Sequence, residues 1–223
     1  MSIKLKYVFP IANISDVCAA QTTAGAANLN LNGNLSDVTH NRISFITKGY
    51  SRQISLRSTG NLAGVVFTIT GTQNGLVITE NINGPNNNTV YSVLIYDVIT
   101  SISSNAAVGT AITAGTGYQG FFPLIGINLE KDVINYTLST AKLTAVSLHT
   151  TIFNTVDNIY NNGHTFLDGV NNNFNIFDIK ASSLDDQFIL PIANVIPCRF
   201  ILVYINGLVG ELGNSIQMNF IQS

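Results

Sequence analysis

The sequence predicts an all-β fold: two tandem antiparallel β-sandwich (Ig-like/jelly-roll-like) domains with an extended N-terminal arm. Three observations predict it. Apolar residues recur with a period of two nearly everywhere, the signature of half-buried strands. Asn-Gly pairs punctuate the chain at 32–33, 74–75, 83–84, 162–163 and 206–207, and both residues tolerate the positive φ of two-residue hairpin turns. No segment carries helical periodicity over three turns.

Taken in order, residues 1–48 read as a first strand and an arm that pack on the first domain or on a neighbouring subunit. The portion AAQTTAGAANLNLNGN is too rich in small residues to hold a core alone. Residues 49–118 form the first sandwich, with strands expected near 52–58, 65–70, 76–82 and 90–102. Val65, Phe67 and Ile69 supply one buried face, and TQNGLV turns the chain into the next strand. The run GTAITAGTGYQGFFPL marks a boundary near 118–120, after which the chain becomes more aromatic. Residues 119–223 form the second sandwich, with strands near 133–140, 142–153, 173–180, 199–205 and 215–222. In KLTAVSLHTTIF, Val146, Leu148 and Ile152 share one face. ASSLDDQF (181–188) reads either as a short helix capped by Ser182 or Ser183, or as a polar loop.

Composition narrows the function. The chain has 223 residues, of which 46% are hydrophobic and only 10% charged, against roughly 25% charged in a typical soluble domain. Asn and Thr take the place of Lys and Glu. A monomer free in the cytosol ordinarily relies on surface charge for solubility, so so neutral a surface points to cover by neighbours in an assembly, or to export. An A/T-rich coding sequence would also raise Asn, but it would raise Lys too, and Lys is scarce. The formal net charge of −2 argues against a nucleic-acid partner, which requires a basic face. Lys48, Arg52 and Arg57 form the nearest approach to a basic cluster and read as a solvated strand face.

No apolar run reaches the roughly 18 residues of a membrane span, and FILVYINGLVG is broken by Asn206-Gly207. Lys4 and Lys6 are not followed by a sustained apolar region, so no signal peptide is expected. On that basis the sequons at Asn13, Asn34, Asn87 and Asn135 are read as chance products of an Asn- and Thr-rich chain. Cys18 and Cys198 lack Cys-x-x-Cys spacing; two buried thiols are expected in preference to a disulfide joining the first segment to the last.

Catalytic and cofactor signatures are not found. His40, His149 and His164 show no zinc-ligand spacing. His164, four residues before Asp168, reads as a loop histidine rather than a metal or acid–base site. The DNIYNNG run lacks the third-position ligand of an EF-hand, and Asp157, Asp168, Asp178, Asp185 and Asp186 have no ordered spacing for calcium. Glu80, Glu130 and Glu211 give no carboxylate pair of the kind glycoside hydrolysis needs. Nucleophile elbow, P-loop and dinucleotide fingerprint are not found. The reading is therefore of a non-enzyme, with no catalytic, cofactor-binding or metal residues assigned.

The text of the sequence also carries a resemblance. VCAAQTTAGAANLNLNGNL, RQISLRSTGNLAGVVFTITGTQNGLVITENINGPNNNTV and VITSISSNAAVGTAITAGT resemble a family of tailed-bacteriophage virion structural proteins over 17–118. TTIFNTVDNIY and the terminal MNFIQS are loosely similar to the family's later strands, whereas the second half has Asn-rich loops where the family is rich in Gly and Asp. The resemblance implies a virion component without catalytic residues, present in many copies through symmetric packing. The expected role is a ring at the portal, head–tail connector or tail, with copies of itself and portal, tail or capsid proteins as partners. Capsid decoration is the alternative, and a host-glycan-binding sandwich the second. In this reading the N-terminal arm drapes over a neighbour, so deleting residues 1–35 is expected to leave a folded, assembly-defective chain.

Overall fold

The computed structural model describes residues 2–37, 39–73, 75–121, 125–126, 134–141, 146–151, 175–179, 187–190, 200–206 and 214–222, with side-chain surroundings between residues 10 and 121. The fold is all-β. In chain order the strands begin with β1 (Ser2–Phe9), β2 (Cys18–Thr23), β3 (Ala27–Asn28), β4 (Ser36–Asp37), β5 (Arg42–Ser44) and β6 (Ser51–Ser58). They continue with β7 (Val66–Gln73), β8 (Leu76–Asn83), β9 (Thr89–Tyr96), β10 (Val98–Ser104) and β11 (Val108–Phe121). The last are β12 (Ile125–Gly126), β13 (Ile134–Ala141), β14 (Val146–Thr151), β15 (Asn175–Ile179), β16 (Gln187–Leu190), β17 (Phe200–Asn206) and β18 (Asn214–Gln222). The only helical turn among the described residues is a 3₁₀ turn at Ile46–Lys48, which ends on Gly49 at φ 82°.

The chain divides into two compact units, Ala12–Gly120 and Met1–Ile11 with Phe121–Ser223. In the second, β1 pairs antiparallel with β18 from Ser2↔Ile221 to Phe9↔Asn214, within a sheet of order β1-β18-β13-β16. A further run, β15-β14-β17, places Leu148 opposite Phe177 and Val203. Sequence reading attached the first strand to the residues that follow it; its pairing partner is the last strand. The segment at 181–186 and the loops at 152–174 lie outside the described residues.

The unit Ala12–Gly120 contains one sheet of order β4-β5-β10-β7-β8, with β3 beside β10, and strands β11-β6-β9 with β2 beside β11. Phe67, Ile69, Ile99 and Ile102 from the first sheet, and Ile54, Leu56 and Ile112 from the second group, are fully buried. At about 25 cal/mol per Å² of apolar surface, this burial is the main stabilising term. The period of two is plain in β7: its inward Phe67 and Ile69 alternate with half-exposed Thr68 and Thr70. Gln73 pairs with Leu76 where β7 gives way to β8, and Gly75 lies at φ 77°.

Three expectations are corrected. The strand expected over 90–102 is two strands in different sheets: β9 pairs with β6 and β10 with β7. The change of sheet falls at Asp97, whose carbonyl accepts from Phe45 and Ile46 N–H and whose carboxylate accepts from the Ser51 hydroxyl. Second, the small-residue run before Tyr118, to which the sequence reading assigns no strand, is the long strand β11. Its glycines permit close approach: a Cβ on Gly115 would lie 1.8 Å from the Asn13 carbonyl oxygen. Gly115→Ala is therefore expected to lower stability by about 1–3 kcal/mol through overpacking, read as a lower thermal midpoint, whereas Gly109→Ala, which meets nothing within 4 Å, should change it little.

Third, residues 12–37 pack on the first domain, one of the two expected placements, and are not a draped arm. Val17, Cys18, Leu29 and Leu31 are buried, β2 pairs with β11, and Leu29 N–H donates to the Ile102 carbonyl. Removing residues 1–35 would take out core side chains and strand β1, so a folded product is no longer expected.

Candidate functional site

Two charged side chains organise the unit Ala12–Gly120. Arg52 lies on β6 with relative exposure of 1%, and its Nε–H donates to the Gly117 carbonyl at 2.9 Å. Burial lowers its affinity for its proton, to about 10, while Tyr50 and Asp16 act in the opposite direction. Burial likewise raises the Asp16 carboxyl, offset by Asn34 and the Arg52 charge. The expected solvated face of Lys48, Arg52 and Arg57 is thus corrected: Arg52 is core, Lys48 ends the 3₁₀ turn, and Arg57 alone of the three is an exposed strand residue.

Around Arg52 the neighbouring polar groups are satisfied across strands. Gln53 Nε2 donates to the Ser92 carbonyl at 2.7 Å and to Gln119 Oε1 at 3.2 Å. Ser55 Oγ donates to the Thr116 carbonyl, and Ile54 N–H to Ser92 Oγ. Buried polar groups retain their stability only when partnered in this way, and this network joins β6, β9 and β11.

Glu80 is the second organiser. Between Gln53↔Ile95 and Ser55↔Tyr91 the β6–β9 register shifts, leaving a bulge at residues 92–94. The Glu80 carboxylate accepts the N–H groups of Val93 at 2.7 Å and Leu94 at 3.0 Å. A carboxylate from β8 thereby satisfies two bulge donors on β9, and it ties the two edges together. Burial first, and then the negative charge of Glu80, push the Tyr96 hydroxyl above the ordinary phenol range.

The outer side of β7–β8 answers why Thr and Asn are abundant. Thr68 Oγ1 donates to Asn81 Oδ1 at 2.8 Å, Thr79 Oγ1 to Thr70 Oγ1 at 3.5 Å, and Thr100 Oγ1 to the Thr70 carbonyl at 3.1 Å. Neutral side chains thus pair across strands where charged ones would require counter-ions. On β8 itself Leu76 and Val77 are exposed, Val77 at 75%.

The candidate ligand residues are dispersed. His40 Nδ1 lies 2.7 Å from Asp37 Oδ2, with Arg42 Nε 3.7 Å from the same oxygen, on the surface beside β4 and β5. His149 lies in β14 and Asp178 in β15, opposite Ile176 and Ser147 respectively. His164, Asp157, Asp168, Asp185, Asp186, Glu130, Glu211 and Cys198 lie outside the described residues. Among the described residues no three or more His, Cys, Asp or Glu gather into a metal-holding group, and no helix is long and apolar enough to cross a membrane.

Cys18 is a buried thiol whose pKa burial pushes up to about 12 from an ordinary 9.0. Because the thiolate is the reactive form, Cys18 is expected to resist alkylation at pH 8.5 in the folded chain and to react on unfolding, as read by peptide mapping. The raised value also fixes a sign: the protonated thiol's contribution is complete below pH 9 and is lost as pH rises toward 12.

Compared with models of known protein families and with curated protein sequences, the chain matches none.

Proposed function

We propose that this chain is a non-enzymatic structural component of a tailed-bacteriophage virion, assembled in the host bacterial cytoplasm. In this reading it is built as two tandem β-sandwiches and present in many copies, forming or reinforcing a ring at the portal, head–tail connector or tail. The observation that carries it is the outer side of β7–β8, where Thr and Asn bond one another, Val77 stands exposed, and the acid of β8 is turned onto β9. Such a surface lies against another subunit without stranding charge, and charge is depleted at the cores of interfaces. The resemblance of residues 17–118 to phage virion proteins supports the same reading.

Quantitative mass spectrometry of purified particles tests it. Tens of copies or fewer per particle are expected for a ring; hundreds would favour capsid decoration; absence from particles would contradict both.

One observation favours a host-glycan-binding module. The rings of Tyr91 and Tyr118 lie 5.6 Å apart at 49°, and Tyr91 is exposed, giving an aromatic surface of the kind sugars stack upon. Binding to a glycan array that disappears in Tyr91→Ala would support that second reading.

A further inference from the structure

We propose that β8 is a docking edge for a second copy of this chain, with two β8 strands pairing antiparallel about a twofold axis through Thr79. The proposal names a contact for the assembly reading above and rests on that reading for its biological role.

The edges of this unit are treated unequally. Strand β4 has two residues and is flanked by the charged cluster of Asp37, His40 and Arg42. Strand β9 is bulged, and Glu80 occupies two of its N–H groups. Short length, charge and bulges are the ordinary means of preventing strands from pairing with other chains. Strand β8 is neither short nor bulged, and its one charge, Glu80, is turned onto β9. It runs for eight residues in unbroken register with β7, without proline, lysine or bulge, and among the described residues β7 is its one partner in the sheet.

Its backbone and side chains also suit pairing with themselves. The Thr72 carbonyl accepts from Asp97 N–H, on the side away from β8, so Thr72–Val77 is a non-hydrogen-bonded pair of the hairpin, and antiparallel alternation turns the N–H and C=O groups of Val77, Thr79 and Asn81 away from β7. The side-chain approach of Thr70 to Thr79 and of Thr68 to Asn81 fits the closer, non-hydrogen-bonded positions. A twofold axis at Thr79 sets that residue against itself and Val77 against the copy's Asn81, so all the unused groups meet partners. Ile78 and Ile82 stay on the core side in both copies. Val77, Thr79, Asn81 and Asn83 are all exposed and uncharged, so self-pairing sets no like charges against each other, and Thr–Thr is a favourable cross-strand pair.

Sedimentation equilibrium of the full chain tests the edge. Thr79→Lys places two ammonium groups across the axis, and Thr79→Pro removes an N–H that β7 does not use. Both are expected to weaken self-association about tenfold or more while Thr79→Lys leaves the thermal midpoint near wild type. In an oxidising buffer Thr79→Cys is expected to give a disulfide-linked dimer in higher yield than Thr22→Cys, an exposed position on β2. A wild-type chain that stays monomeric, or Thr79→Lys associating as wild type does, or equal cross-linking at both cysteines, overturns the proposal. Incorporation into particles is scored separately. Normal incorporation with unaltered association of Thr79→Lys removes the edge and leaves the virion reading standing, whereas β8-dependent dimers of a chain missing from particles support the edge and remove the virion reading.

Discussion

Replacing Arg52 by alanine is expected to lower stability by about 3–5 kcal/mol, the cost of breaking a buried charged network. The side chain is among the largest that are fully buried. Its loss leaves a cavity, removes a donor from the Gly117 carbonyl and leaves Asp16 without its nearby positive charge. Arg52→Met fills much of the volume and should cost less, about 1–3 kcal/mol, the remaining loss being the hydrogen bond to the Gly117 carbonyl. Arg57→Ala, at an exposed strand position, should fall within about 0.5 kcal/mol of wild type. Chemical denaturation of the three variants checks the order. Equal effects for Arg52→Ala and Arg57→Ala would refute a core role for Arg52.

Replacing Glu80 by alanine is expected to cost about 2–3 kcal/mol, since hydrogen bonds to a charged acceptor exceed neutral ones and two are lost together. The N–H groups of Val93 and Leu94 lose their acceptor, and the bulge loses its tie to β8. For a chain of this size that corresponds to a fall in thermal midpoint of about 5–10 °C. Glu80→Gln keeps one carbonyl oxygen toward the donors and should cost about half as much. Hydrogen exchange supplies the local readout: the amides of Val93 and Leu94 should exchange faster in Glu80→Ala, while those of β10 change little. Unchanged protection at Val93 and Leu94 would show that the carboxylate does not hold the bulge.

Both side chains were legible in the strand period, although their chemistry obscured it. In SRQISLRS, Arg52 has the parity of Ile54 and Leu56, and in LVITENIN, Glu80 has the parity of Ile78 and Ile82. Period-two reading places each on the inward face. Charge alone suggested a solvated strand for Arg52 and a scattered acid for Glu80. Parity prevails here because each has partners on other strands that offset its desolvation, distant in sequence for Arg52 and on the next strand for Glu80. Gly117 is 65 residues from Arg52 and Val93 is 13 from Glu80.

The β class and the β7–β8 hairpin followed directly from alternation and the Asn-Gly turn, because both are local signals. Strand β11 was not legible as a strand: Ala, Gly and Thr carry little β propensity, and its glycines answer to Asn13 and Gln53, which only the fold brings near. The division at Asp97 was hidden for the same reason, since residues 90–102 read as one strand until the separate partners of β9 and β10 are known. The first strand's pairing with the last could not be read from a segment whose neighbours in sequence are equally β-like.

Glu80 now links fold to function. By turning its charge onto β9 it leaves the outer row of β8 neutral, and that row is the surface proposed to meet other copies. The most direct measurement is a density map of the virus particle that carries this chain. The account predicts density for both units repeated around a symmetric ring at the portal, head–tail connector or tail. A map at side-chain resolution in which no such copies occur on the particle would contradict it.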